Sequence, residues 1–91
     1  ASGSEALVYR VDSTAGRIGE SLLRSMTRLT GLRNRGVTAR PGLYVLRKTS
    51  MPAVLMEIGF ISNPGDAALM RDDPELFAEG MYRGLNAYYG F

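Results

Sequence analysis

The chain has 91 residues, 45% apolar and 22% charged, with 11 basic residues against 9 acidic ones and neither histidine nor cysteine. That composition fits one small globular domain and excludes a disordered chain, a disulfide scaffold and a thiolate metal site. No apolar run reaches the roughly 18–20 residues of a membrane-spanning helix, and the N-terminus lacks an export signal, so an exported protein would carry its signal upstream. The net charge of +2 hides a gradient: residues 1–48 hold nine basic against three acidic residues, and residues 49–91 hold two against six. Such a gradient can attract an anionic polymer, but an arginine-rich solvated helix face is the plainer reading. The five tyrosines and three phenylalanines make no stacking pattern, so nucleic acid is not expected as a partner.

Residues 5–10 (EALVYR) are β-prone and predict a strand. Ser13 or Thr14 then offers a helix N-cap. Ile18, Leu22, Met26 and Leu29 form one apolar helical stripe with Leu23 beside it, and Arg17, Arg24 and Arg28 form a polar one. Glu20 stands four residues before Arg24, the favourable order for an ion pair, and Gly31 is a stop signal. A helix over about residues 14–30 follows. Residues 31–42, with three glycines and Pro41, predict an extended, turn-bearing connection.

Two apolar runs come next, LYVL (43–46) and AVLMEI (53–58), both read as strands. The second does not alternate, as expected of a central strand covered on both faces, and Pro52 precedes it where a missing amide matters least. Asn63 is a good N-cap with Pro64 at the first helical position, predicting a short helix to about Met70. Asp73 and Pro74 repeat the start signal, and Phe77, Met81, Leu85 and Tyr88 make a further apolar stripe to the end of the chain. The expected fold class is α/β, a small and partly parallel sheet with helices packed on it.

Glu57 breaks the pattern. It lies in MPAVLMEIGF among apolar residues and glycine. A carboxylate at the C-terminal end of a buried strand loses hydration, which raises its pKa, and ligand crevices form at that end of open α/β sheets. Such a glutamate can take a proton from water and deliver it to a leaving amine. An edge glutamate turned to solvent or paired with an arginine fits the same residues, and physical reasoning leaves both open.

The run TSMPAVLMEIGFISNPGDAALM (49–70) resembles the signature of the zinc-dependent N-acetylmuramoyl-L-alanine amidases. GSE (3–5), RGV (35–37) and LYVLR (43–47) precede it in family-like order, so the resemblance covers roughly residues 3–88. It implies that the chain is the C-terminal portion of an amidase-like catalytic domain, an incomplete one, with Glu57 as its catalytic glutamate. The implied reaction is peptidoglycan hydrolysis, at the amide between N-acetylmuramic acid and L-alanine of the stem peptide. The implied setting is the cell wall, extracellular or periplasmic, as for an autolysin or endolysin.

In the family, zinc is held by two histidines and a glutamate from the preceding half, the last in an H-x-N segment just upstream of residue 1. This chain lacks those ligands. Glu5, in GSE, does not match the family's ligand glutamate, so no metal ligand is expected here and the 91-residue chain alone is expected to be inactive without bound zinc. The resemblance places Arg47 and Ser50 near the substrate cleft, where Arg47 would bind a peptide carboxylate; a surface ion pair is its plain alternative. Asn63 reads as a helix cap, Phe60 and Ile61 as packing, and Arg35 as a loop anchor. Expected partners are peptidoglycan, the missing N-terminal half, or a second copy through an exposed sheet edge. The competing reading is a non-catalytic half-domain that binds peptidoglycan or another protein.

Overall fold

The computed structural model describes residues 1–90. It contains seven elements: β1 (Ser4–Val8), α1 (Thr14–Thr30), β2 (Asn34–Ala39), α2 (Tyr44–Arg47), β3 (Leu55–Glu57), α3 (Pro64–Asp72) and α4 (Pro74–Tyr89). The three strands form one sheet in the order β2-β1-β3, with β2 parallel and β3 antiparallel to β1. The expected partly parallel α/β sheet with packed helices is therefore the architecture found.

α1 follows its sequence signals closely. Ser13 caps it, its hydroxyl accepting from the Gly16 amide at 3.1 Å, and Gly31 ends it in the left-handed region with φ 76°. Ile18, Leu22, Leu23 and Met26 are buried, while Arg17, Arg24 and Arg28 face solvent, as a 3.6-residue period requires. Glu20 and Arg24 pair at 2.8 Å. α3 likewise starts as expected, with the Asn63 side chain accepting from the Asp66 amide at 2.9 Å. Asp73 does not repeat this capping: it makes no side-chain cap bond, and its amide donates back to Leu69 at the end of α3. Pro74 alone sets the start of α4, its ring fixing the first helical φ.

Alternate residues of β1 point to opposite faces. Ala6 faces α1, where a methyl group built on Gly19 would lie 3.2 Å from its Cβ. Ala6, Leu23, Met26 and Phe77 make the buried core, ringed by Val37, Val54, Met56, Ile58, Leu69, Met70 and Met81. The opposite face carries Glu5 and Leu7 of β1 with their register partners Glu57 and Leu55 of β3.

The sequence readings of residues 31–58 need correcting. The segment read as a connection contains β2, whose NRGVTA shows no apolar alternation because it is an edge strand with mixed surroundings. LYVL, read as a strand, is the short helix α2; Leu46 is its one buried residue, and Tyr44 and Val45 remain 69% and 61% exposed. The run read as a central strand is β3, three residues long and at the sheet edge, with Pro52 outside it. The central strand is β1 instead, buried along nearly its whole length. Its own bounds are Ser4–Val8 rather than 5–10.

α4 packs on α1 backbone to backbone. A Cβ added at Gly80 would lie 2.4 Å from the Met26 Cα, and one at Gly84 would lie 2.7 Å from the Leu22 Cα. The Ser21 hydroxyl donates to the Gly84 carbonyl at 2.8 Å across the same contact. Neither helix can give way without moving the core residue beside it. Gly80→Ala is therefore expected to destabilise the fold by about 1–3 kcal/mol, the usual range for overpacking. Urea denaturation would show this as a lower midpoint with an unchanged slope.

Candidate active site

A cleft of about 180 Å3 opens where β1 begins and β3 ends, lined by Gly3, Glu5, Glu57 and residues 59–62. Glu5 and Glu57 are register partners across the antiparallel β1–β3 pair, so their side chains leave the sheet side by side. The Thr38 hydroxyl donates to Glu5 Oε2 at 2.6 Å and holds that carboxylate toward β2. Glu57 is exposed and, among the described residues, makes no hydrogen bond or ion pair. The loss of hydration inferred from its apolar neighbours is not what the structure shows, because β3 is a short edge strand.

The crevice argument changes as well. Because β3 runs antiparallel to β1, its C-terminal end lies at the N-terminal ends of the parallel strands β1 and β2. The cleft at Glu57 is thus not the crevice that forms beyond the carboxyl ends of a parallel sheet. That opposite end holds a second cleft, of about 300 Å3, lined by Tyr9, Arg10, Ser13–Ala15 and Thr49–Ala53. Ser50 belongs to this second cleft. Arg47 ends α2 nearby in sequence and is exposed. Neither lines the cleft that Glu57 lines.

Two buried polar side chains fix the Glu57 cleft. Asp66, in the first turn of α3, is 1% exposed, and its Oδ2 accepts from the Gly3 amide at 2.9 Å and the Phe60 amide at 3.0 Å. Ser4 is fully buried, and its hydroxyl donates to the Ile58 carbonyl at 2.6 Å. One carboxylate oxygen and one hydroxyl therefore tie the segment leaving Glu57 to the segment entering β1. Gly3 makes the approach feasible: its φ is 107°, and a Cβ there would meet the Arg33 carbonyl oxygen at 2.5 Å. Asp66 lies in the sequence motif, in NPGD, yet only its acidic character in a first helical turn was visible there; its partner Gly3 is 63 residues away.

Phe60 and Ile61, read as packing, both line the cleft, and Ile61 is 88% exposed. Arg35 stacks its guanidinium over the Phe60 ring at 4.8 Å instead of anchoring to carbonyls. Away from the cleft, at the end of α3, the exposed Asp72 carboxyl is held below its ordinary range by its hydrogen bonds from Arg71, at 2.9 and 3.1 Å.

The residues present do not make a zinc site. The chain has no imidazole or thiolate, and among the described residues no three His, Cys, Asp or Glu side chains gather around a common point. What the cleft offers chemically is a pair of carboxylates, one held and one free, in a backbone frame locked by Asp66.

Comparison with known proteins gives the family and the fold. A family model described as N-acetylmuramoyl-L-alanine amidase matches residues 1–87. A Staphylococcus saprophyticus protein named as a probable cell wall amidase, LytH, is 32% identical over 91 residues, covering 98% of this chain and 30% of its own. The CwlD amidase of Clostridioides difficile, solved in complex with the GerS lipoprotein, superposes with a TM-score of 0.89 at 25% identity, covering 99% of this chain and 47% of that one. The catalytic domain of CwlV, an N-acetylmuramoyl-L-alanine amidase from Bacillus (Paenibacillus) polymyxa, gives 0.80 at 29% identity, with 99% and 50% covered. The chain thus spans about a third of that curated relative and about half of the two solved chains. By the match over residues 1–87, it belongs to the N-acetylmuramoyl-L-alanine amidase family.

Proposed function

We propose that this chain is the C-terminal portion of a peptidoglycan-cleaving catalytic domain, with Glu57 as the residue that moves the proton. The observation that carries the reading is the placement of Glu57: it lines a cleft beside Glu5, free of any partner among the described residues. The bond cleaved is the amide between the muramoyl lactyl group and L-alanine, in the cell wall outside the membrane. Among the described residues, no helix is long and apolar enough to cross a membrane.

In this reading the Glu57 carboxylate accepts a proton from the attacking water and returns it to the departing amine. An exposed carboxylate without a partner has its oxygens open to a water or an amine. Glu5, turned toward Thr38, leaves the neighbouring space open to substrate. The family is in general zinc-dependent, and the ligands would come from polypeptide outside this chain. Arg47 and Ser50 are assigned to more distant parts of the polymer, because the cleft that Ser50 lines lies at the other end of β1. The two register pairs Glu5–Glu57 and Leu7–Leu55 show the strand direction that separates the two ends.

In a protein that includes the preceding half of the domain, Glu57→Gln is expected to lower dye release from labelled cell walls by about 100- to 10,000-fold. Zinc content, measured by elemental analysis, should stay at the wild-type level. Activity retained in that variant would remove Glu57 from the role. The 91-residue chain alone is expected to bind no zinc and release no dye. Asp66 gives a separate test of the frame. Asp66→Ala leaves two buried amides without an acceptor and is expected to cost about 2–5 kcal/mol in folding stability, with activity falling alongside. Asp66→Asn keeps a carbonyl oxygen that can accept both bonds, so it should recover most of the melting temperature and activity. If Asn behaves like Ala in calorimetry, the negative charge matters and not the acceptor geometry.

A further inference from the structure

Three arginines in the described residues pair with neighbouring acids: Arg24, Arg71 and Arg83, at 2.8, 2.9 and 2.8 Å. Arg35 is different. Like several exposed arginines, its side chain has no hydrogen bond or ion pair among the described residues, but its Nε is a buried donor without an acceptor. The two terminal nitrogens are not buried, so the outer edge of the guanidinium remains accessible. The buried Nε is out of a ligand's reach, so the donors a ligand can meet are the two terminal nitrogens.

The position of Arg35 is built by the fold. Between the register pairs Ser4–Asn34 and Ala6–Val37, β2 carries one more residue than β1, a bulge at Arg35–Gly36. Bulges re-aim side chains, and this one sends Arg35 across the start of β1, its Cγ 3.1 Å from where a Gly3 Cβ would stand. The guanidinium then rests on Phe60 at 4.8 Å. Gly3 and Phe60 are both walls of the Glu57 cleft, and both are fixed by Asp66. Of the nearby carboxylates, Glu5 accepts from Thr38 and Asp66 from the two amides, while Glu57, free among the described residues, makes no ion pair with Arg35. A planar cation is thus held at the cleft wall with its bonding edge unused.

We propose that Arg35 is a specificity-determining residue that binds a carboxylate carried by the peptide on the leaving-amine side of the scissile bond. The planar fork of a guanidinium matches a carboxylate in two parallel hydrogen bonds, and stacking on Phe60 pre-orients it. The charged residues that line the cleft are Glu5 and Glu57, so an anionic substrate would be repelled without a cation beside it, which Arg35 on Phe60 supplies. Arg35 therefore sets which peptides enter, while Glu57 acts on the bond. This inference rests on the reading of the cleft as an amide-cleaving site.

The test uses the domain with its preceding half and two muramoyl-peptide substrates that differ only in having that carboxylate free or amidated. The wild type is expected to prefer the free acid in kcat/KM by about ten- to a hundredfold, the range of a charge-assisted hydrogen bond, mainly through KM. Arg35→Gln keeps a planar group over Phe60 but removes the charge. It should bring the free acid down to the level of the amidated substrate and leave the amidated one within about twofold of wild type. Arg35→Lys should restore part of the preference. Equal losses on both substrates, or a preference that survives in Arg35→Gln, would overturn the proposal. So would a large fall in melting temperature in Arg35→Gln with no change in preference, which would show that an acid elsewhere in the protein occupies the fork.

Calorimetric titration of the same two peptides into the Glu57→Gln protein, with and without Arg35→Gln, reads the contact without turnover. Tighter binding of the free acid, lost with Arg35, supports the role even if no cleavage is found; that combination would sink the amidase reading alone. Equal binding of the two peptides would sink the proposal for Arg35.

Discussion

A single oxygen of Asp66 organises this half of the molecule. It accepts from two backbone amides, one before β1 and one after β3, and it does so from inside the protein. Burying a carboxylate is costly unless its lone pairs are used, and here two amides and the N-terminal turn of α3 compensate the charge. The consequence is geometric. The chain cannot leave Glu57 in any other direction without orphaning either the carboxylate or the amides. Ser4 adds a second tie, from its hydroxyl to the Ile58 carbonyl, so the exit of β3 is fixed at successive points. The backbone at the cleft is therefore held by buried polar groups at Gly3, Ile58 and Phe60.

The helical layer meets a different constraint. α1 and α4 approach so closely at Gly80 and Gly84 that any side chain there would enter the backbone of the partner helix. That contact seats Phe77 against Met26 and Leu23 and brings α1 onto the Ala6 face of the sheet. The polar chemistry is left on the other side, where Glu5 and Glu57 stand together. One face of three short strands is thus committed to packing and the other to a site. The edges β2 and β3 have no outer neighbour among the described residues, which suits a chain spanning about half of the solved amidases it resembles.

Charge within the site is unevenly distributed. Glu5 is held by Thr38, Glu57 is free, and Arg35 lies on Phe60 with its outer nitrogens unused. Two carboxylates in the cleft and a guanidinium on its Phe60 wall favour a substrate that brings a polar bond to Glu57 and a negative group to Arg35. The imidazole and thiolate donors that zinc prefers are missing from the sequence.

The amino-acid sequence by itself determined the long helices and their ends. Ser13 and Gly31 bound α1, Asn63 and Pro64 open α3, and the apolar stripes already show which faces are buried, because caps and a 3.6-residue period are local properties. The MPAVLMEIGFISN motif likewise made Glu57 stand out before any fold was known. Tertiary structure decided the rest. NRGVTA becomes a strand only because β1 offers it a parallel edge, and LYVL turns helical because four residues carry too little periodicity to specify either state. The antiparallel sense of β3, the pairing of Glu5 with Glu57, the reach of Asp66 across 63 residues and the stacking of Arg35 on Phe60 all join segments distant in sequence. No local preference encodes such contacts: the strand pairing and, for the buried Asp66, the lack of other partners bring them about.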